Sequence, residues 1–146
     1  MKYIPDSTDW SIMDLLVKQH LSNNEVARRL DLSEGTIRRR IKQLDDAGIM
    51  HTRALLDPNK LDNKQLVLVL ANVAEASKLS ETAVKINELE NVISVSLISG
   101  QFDLLIEVLV NSNRGLVDFL SGDLASIKGI SKTETSLVLK SHGKYI

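Results

Sequence analysis

The sequence predicts an α+β chain in two parts, a three-helix head followed by a four-stranded antiparallel sheet with two helices on one face. Three observations predict it. Helical periodicity with paired start signals fills the first third, strand-length apolar runs fill the remainder, and a turn signal at Asp57-Pro58-Asn59 lies between them.

The first helix is expected between Pro5 and Gln19. Asp6, Ser7, Thr8 or Asp9 can cap it, and Trp10, Ile12, Met13, Leu15, Leu16 and Val17 are its apolar positions. Trp10 is expected in core or interface packing. A second helix, about Asn23 to Leu30, opens at Ser22 with Glu25 three residues on, the spacing at which a hydroxyl and a carboxylate satisfy the free amides of a helix start. Val26, Ala27 and Leu30 share one face. Asp31-Leu32 breaks the pattern, and Ser33 caps a third helix, roughly Glu34 to Ala47, with Gly48 as its stop.

At roughly 100° per residue, Ile37, Ile41 and Leu44 form the buried stripe of that third helix. Gly35, Arg38, Arg39 and Lys42 cluster opposite, while Thr36 and Arg40 flank the stripe. The outward face is basic. A run of arginines on a helix is by itself an ordinary solvated face. The double cap and short turn make it the shape that inserts into a major groove, where Arg and Lys neutralise phosphates or read guanine edges. Ser33, Gly35, Thr36, Arg38, Arg39, Arg40 and Lys42 are therefore the candidate DNA-contacting residues, with Arg53 on the following wing or linking strand, Ile49 to Leu56, as a phosphate candidate.

The pattern Ser33, Thr36, Ile37, Arg40, Ile41, Leu44, Gly48, Ile49 resembles the recognition helix and exit of the leucine-responsive regulatory protein/AsnC family, the feast/famine transcription regulators. Asp6, Asp9, Ile12 and Leu16 match that family's opening pattern. Asp31 departs from it, standing where glycine is common in the turn before the recognition helix, so a slightly different turn is expected.

The second part reads as strand, helix, strand, strand, helix, strand. Gln65 to Val73 is an apolar strand, and Leu79 to Leu89 a helix capped by Ser77 or Ser80 with Ala83, Ile86 and Leu89 inward. Val92 to Ser99 and Asp103 to Val110 are strands about a turn at Gly100. A helix from Ser112 or Asn113 to Ile127 buries Leu116, Val117, Leu120 and Leu124, and Ile130 to Leu139 closes the sheet. This order is the split βαβ, ferredoxin-like arrangement. Its second sheet face has no helix to cover it, which predicts a second copy of the chain there. The expected domains are residues 1–56, a (winged) helix-turn-helix DNA-binding domain; 57–64, a linker; and 65–146, a dimerisation and effector domain.

Gly100, Phe102 and Asp103 followed by Leu104-Leu105-Ile106, and Gly129-Ile130 followed by Thr133, Glu134, Thr135 and Ser136, are similar to the family's effector domain. The resemblance covers about Pro5 to Leu139. It implies a regulator that binds double-stranded DNA, forms homodimers and often octamers, and in many members holds an amino acid or similar small molecule between dimers. By position, the loop Gly100, Gln101, Phe102, Asp103 and the pair Thr135, Ser136 are the effector candidates. Glycine admits close approach to backbone amides, an aspartate accepts from an α-ammonium and hydroxyls donate to a carboxylate. A hairpin glycine and a turn-capping aspartate are the bland alternatives. Gln101 is neutral where the family frequently has an acidic residue.

Composition sets the remaining bounds. The chain has 146 residues, 43% of them apolar, and a formal net charge of −1, so nucleic-acid affinity must come from local clustering. Absence of cysteine excludes disulfides and thiolate chemistry. No apolar run is long enough to span a bilayer and no signal-peptide profile opens the chain, so a cytoplasmic protein without membrane contact is expected. The alternative is an enzyme of the same architecture, resembling siroheme decarboxylase. His20, His51 and His142 fall in different elements without ligand spacing, so neither catalysis, a cofactor nor a metal is expected.

Overall fold

The computed structural model describes residues 3–146. The chain divides into two compact units, one ending at Ala54 and one beginning at Leu55.

In the first unit, α1 (Ser7–Lys18), α2 (Asn23–Leu30) and α3 (Glu34–Asp46) follow the periodicity of the sequence. Among the candidate caps of α1, Asp6 is the one used. Its carboxylate accepts the Asp9 N–H at 2.9 Å, and the Asp9 carboxylate accepts the Asp6 N–H at 3.0 Å. Ser22 and Ser33 cap α2 and α3 by accepting the N–H of Glu25 and of Thr36, each at 3.2 Å and each cap contributing about 1 kcal/mol. The carboxylate of Glu25 does not return to Ser22; it pairs with Arg28 and Arg29, whose guanidinium groups are stronger partners than one amide.

Asp31 ends α2 in the left-handed region at φ 53°, the conformation glycine takes without strain, so the turn's backbone strain falls on that one residue. At the end of α3, Gly48 takes φ 67° and the Ile49 N–H reaches back to the Leu44 carbonyl at 2.9 Å, closing the helix. Ile12, Val26, Ala27 and Ile37 form the buried core, with Leu15, Leu16, Leu30 and Ile41 packed around it. Trp10 is 59% exposed and Val17 is exposed as well, so neither belongs to the core of this unit. Ile49 to Leu56 forms no regular strand.

The second unit contains β1 (Gln65–Val73), α4 (Leu79–Asn87), β2 (Val92–Leu97), β3 (Leu104–Val110), α5 (Asn113–Asp118), a π-helical turn (Phe119–Asp123), α6 (Leu124–Ser126) and β4 (Ile130–Leu137). The sheet order is β2-β3-β1-β4, antiparallel throughout. Alternation along β1 and β3 buries Val67, Val69 and Ala71 with Leu104, Ile106 and Val108 against Ala83, Ile86, Phe119 and Leu124. Each fully buried aliphatic side chain contributes roughly 1.5–3 kcal/mol. Thr82 is also buried on α4, whose start is capped by neither Ser77 nor Ser80.

The opposite sheet face carries Leu68, Leu70, Leu105 and Leu109, half-buried, and Glu107 among them. Part of its cover comes from the chain itself. Lys144 and the Ser94 hydroxyl both hydrogen-bond the Glu107 carboxylate, Asn59 exchanges hydrogen bonds with the Ser141 backbone, and Leu56 and Ile146 exchange backbone bonds. The segment after β4 is thereby held back against the sheet, which the alternation of the strands alone did not predict.

Candidate functional site

The first unit presents α3 with Gly35, Arg38, Arg39 and Lys42 exposed, as the 100° periodicity requires. Thr36 is half-buried and bonds the Ser33 hydroxyl at 2.8 Å, so both hydroxyls are engaged at the helix start. Arg53 is exposed and has no acidic partner among the described residues.

Arg40, also among the expected DNA-contacting residues, is engaged within its own unit. Its Nη1 donates to Asp6 Oδ2 and to Asp9 Oδ1, each at 2.8 Å, and the Tyr3 hydroxyl donates to the other Asp9 oxygen at 2.7 Å. Asp9 is 1% exposed. Burial pushes its carboxyl up, but the bonds from Tyr3, the Asp6 N–H and Arg40 outweigh that and hold it below the ordinary carboxylate range. The Asp9 N–H and Arg40 lower Asp6 likewise. The reason is geometric: position 40 lies nearer the apolar stripe than the outward face, and a long guanidinium there finds the two carboxylates at the start of α1. Arg40 fixes the angle between α1 and α3. The acids Asp6 and Asp9 were visible as cap candidates, and their pairing with a residue on another helix was not.

The remaining cations sit beside acids of their own helix. Arg38 lies 3.4 Å from Glu34, and Lys42 lies 2.9 Å from Asp46, whose hydrogen bond raises the lysine above its usual range. These side chains are exposed, where solvent screens one-turn ion pairs strongly, so phosphates can compete for both cations. A shallow groove of about 280 Å³ runs beside Arg38 and Lys42, walled by Asn23, Met50 and Thr52.

In the second unit, Gly100 takes φ 143° and, with Gln101, is exposed. Phe102 is buried, and the Lys132 ammonium stands 5.0 Å from its ring centroid, a cation over an aromatic face. Asp103 is occupied structurally. Its carboxylate accepts the Val73 N–H at 2.9 Å, its own N–H donates to the Ala71 carbonyl at 3.1 Å, and its carbonyl accepts the Ile98 N–H at 2.9 Å.

Thr135 pairs with Val69 and Ser136 with Leu68, so the two hydroxyls point to opposite faces of the exposed edge strand β4. Val69 is four residues from Val73, about 13 Å along the strand. Within one copy the loop and the hydroxyl pair are therefore separate patches. Lys132 and Asn72, both absent from the expected set, are polar residues beside the loop, Asn72 Oδ1 accepting the Asp103 N–H at 3.2 Å, and Lys132 also borders a cleft of about 300 Å³ floored by Leu120, Leu124, Ile127 and Ile130. No group of acidic and histidine side chains suited to a metal occurs among the described residues, and no helix among them is long and apolar enough to cross a membrane.

A capped helix-turn-helix with a cationic outer face, joined to a separate α+β sheet unit, defines a two-domain helix-turn-helix regulator. Residues 5–49 match the winged helix-turn-helix DNA-binding family, and residues 66–145 match the Lrp/AsnC ligand binding domain. The chain is 31% identical over 144 residues to the HTH-type transcriptional regulator FL11 of Pyrococcus furiosus, covering 97% of this chain and 94% of that protein. It is 37% identical over 118 residues to the uncharacterized HTH-type transcriptional regulator PF1231 of the same organism, covering 80% and 79%. Among solved structures, the transcriptional regulator NMB0573 of Neisseria meningitidis in complex with L-Met superposes with a TM-score of 0.70 at 28% identity, covering 94% of this chain and 91% of that one. The chain belongs to the Lrp/AsnC family of DNA-binding transcriptional regulators.

Proposed function

We propose that this regulator binds a specific pseudo-palindromic operator as a dimer or larger ring, each copy presenting α3 to one half-site, with an amino acid between subunits shifting the assembly. The observation that carries the DNA reading is the exposure of Gly35, Arg38, Arg39 and Lys42 on one face of a helix whose opposite face is core. Arg38, Arg39 and Lys42 approach phosphates or guanine edges, Ser33 and Thr36 lie at the helix start nearest the groove, and Arg53 takes a flanking phosphate.

The half-buried leucines of the open sheet face support a second copy as partner. Binding of L-Met by the Neisseria relative supports an amino-acid effector. Gly100, Gln101, Phe102 and Asp103 of one copy with Thr135 and Ser136 of another make a site only between subunits, which suits a ligand that acts by its difference in affinity between assembly states.

A gel-shift titration on the protein's own upstream region, against scrambled DNA of equal length and composition, tests this reading with and without pooled amino acids. A specific shift altered by amino acids is the expected result. A specific shift indifferent to them removes the effector, equal binding to both DNAs removes the operator, and a monomer at micromolar concentration by light scattering removes the assembly.

A further inference from the structure

Beside its cationic outer face, α3 carries as many acids along its length as exposed cations. Arg38, Arg39 and Lys42 are the exposed cations of the helix once Arg40 is paired with Asp6 and Asp9, and Glu34, Asp45 and Asp46 are the acids of the helix, three against three. Glu34 has an ordinary explanation. It lies in the first turn, where a carboxylate stabilises the helix end, and it precedes Arg38 in the favourable order for a one-turn pair.

Asp46 has no such explanation. It occupies the last turn of α3, where the helix carries no basic residue and a carboxylate opposes the helix dipole. Its pair with Lys42 runs in the less favourable order, cation before acid. Asp45 beside it also raises Lys42 through its charge, but its carboxylate is hydrogen-bonded to His51 Nδ1 at 2.5 Å, so Asp46 alone bonds the ammonium. Asp46 therefore works against the helix that bears it while holding Lys42, 73% exposed, at 2.9 Å.

We infer that Asp46 is a specificity-determining residue that acts through Lys42, weakening capture of DNA that is not the operator. The inference rests on the reading of α3 as the DNA-contacting helix. Non-cognate binding comes from cations that neutralise phosphates and release counterions. A carboxylate on Lys42 competes with the phosphate for that cation. On a cognate site base contacts carry part of the binding and fix a register in which Lys42 keeps Asp46 as its partner, so the carboxylate costs less there than on scrambled DNA, which is held by phosphate contacts alone.

The test uses the full chain, wild type, Asp46→Asn, Lys42→Ala and the double variant, titrated by fluorescence anisotropy on the upstream region and on scrambled DNA across a salt series. Asp46→Asn is expected to bind scrambled DNA about threefold more tightly, with a salt slope steeper by about one phosphate contact, and the upstream region by a smaller factor. In the Lys42→Ala background the same substitution is expected to change neither. Equal tightening on both DNAs, no tightening on scrambled DNA, or an effect that survives Lys42→Ala would each overturn the inference. Wild type and Arg38→Ala/Arg39→Ala/Lys42→Ala binding alike would instead overturn the reading of α3 beneath it.

Discussion

Arg40 Nη1 lies 2.8 Å from Asp9 Oδ1, joining α3 to a carboxylate that is 1% exposed on α1. A residue that the sequence pattern offers for DNA is thus a brace between helices. Removing Arg40 leaves the Asp9 carboxylate without its cation, with only the Tyr3 hydroxyl and the Asp6 N–H as donors, and removing the Asp9 charge leaves Arg40 with Asp6 alone. Arg40→Ala or Asp9→Asn should destabilise the first unit by about 1–3 kcal/mol, less than a fully buried pair because Arg40 remains partly exposed. Urea unfolding followed by the single tryptophan, Trp10 on α1, measures it.

The same brace sets an acid limit. Asp9 and Asp6 are held below their ordinary values by Tyr3, by each other's backbone N–H and by Arg40. A depressed carboxylate contributes stability above its unfolded pKa, about 4, and that stability is lost as pH falls through the lower folded value. Stability of the first unit should therefore be flat above about pH 5 and fall below about pH 4. In Arg40→Ala the fall should be shallower, as unfolding curves at stepped pH would record.

Asp31 holds a left-handed backbone that glycine adopts without strain. Asp31→Gly should raise stability by about 0.5–1 kcal/mol, the relief of strain exceeding the added freedom of the unfolded chain. A lower midpoint of unfolding would show that the aspartate side chain contributes more than its backbone angle removes.

Asp103 separates two roles by charge. Asp103→Asn keeps an oxygen to accept the Val73 N–H, and Asp103→Ala does not. Alanine should lower stability by about 1–2 kcal/mol and speed hydrogen exchange at Val73. Asparagine should leave stability within about 0.5 kcal/mol while weakening any amino acid whose ammonium needs the negative charge. Calorimetry with pooled amino acids distinguishes the two.

The helix-turn-helix was legible because caps and a 3.6-residue period are local signals, and Ser22, Ser33, Ile37 and Leu44 behave as that period requires. The ferredoxin-like order was legible for the same reason, from strand-length runs and the glycines between them. What escaped depends on distant partners. Arg40 is defined by acids 31 and 34 residues away, Asp103 by an amide 30 residues away, and Glu107 by a lysine 37 residues on. Period and propensity carry no information about such pairs. Trp10 shows the complementary case, an apolar residue at helical spacing that the core of its own unit leaves exposed.

Contact between the outward face of α3 and DNA would be read from the salt dependence of binding. Wild type and Arg38→Ala/Arg39→Ala/Lys42→Ala are titrated on the upstream region between about 50 and 200 mM salt, a range over which each lost phosphate contact lowers the slope by about 0.9. The account predicts weaker binding by the variant and a slope shallower by one to three contacts, about 0.9 to 2.7, with unfolding curves unchanged. Unchanged affinity and an unchanged slope would contradict it and place the DNA-contacting surface elsewhere on the chain.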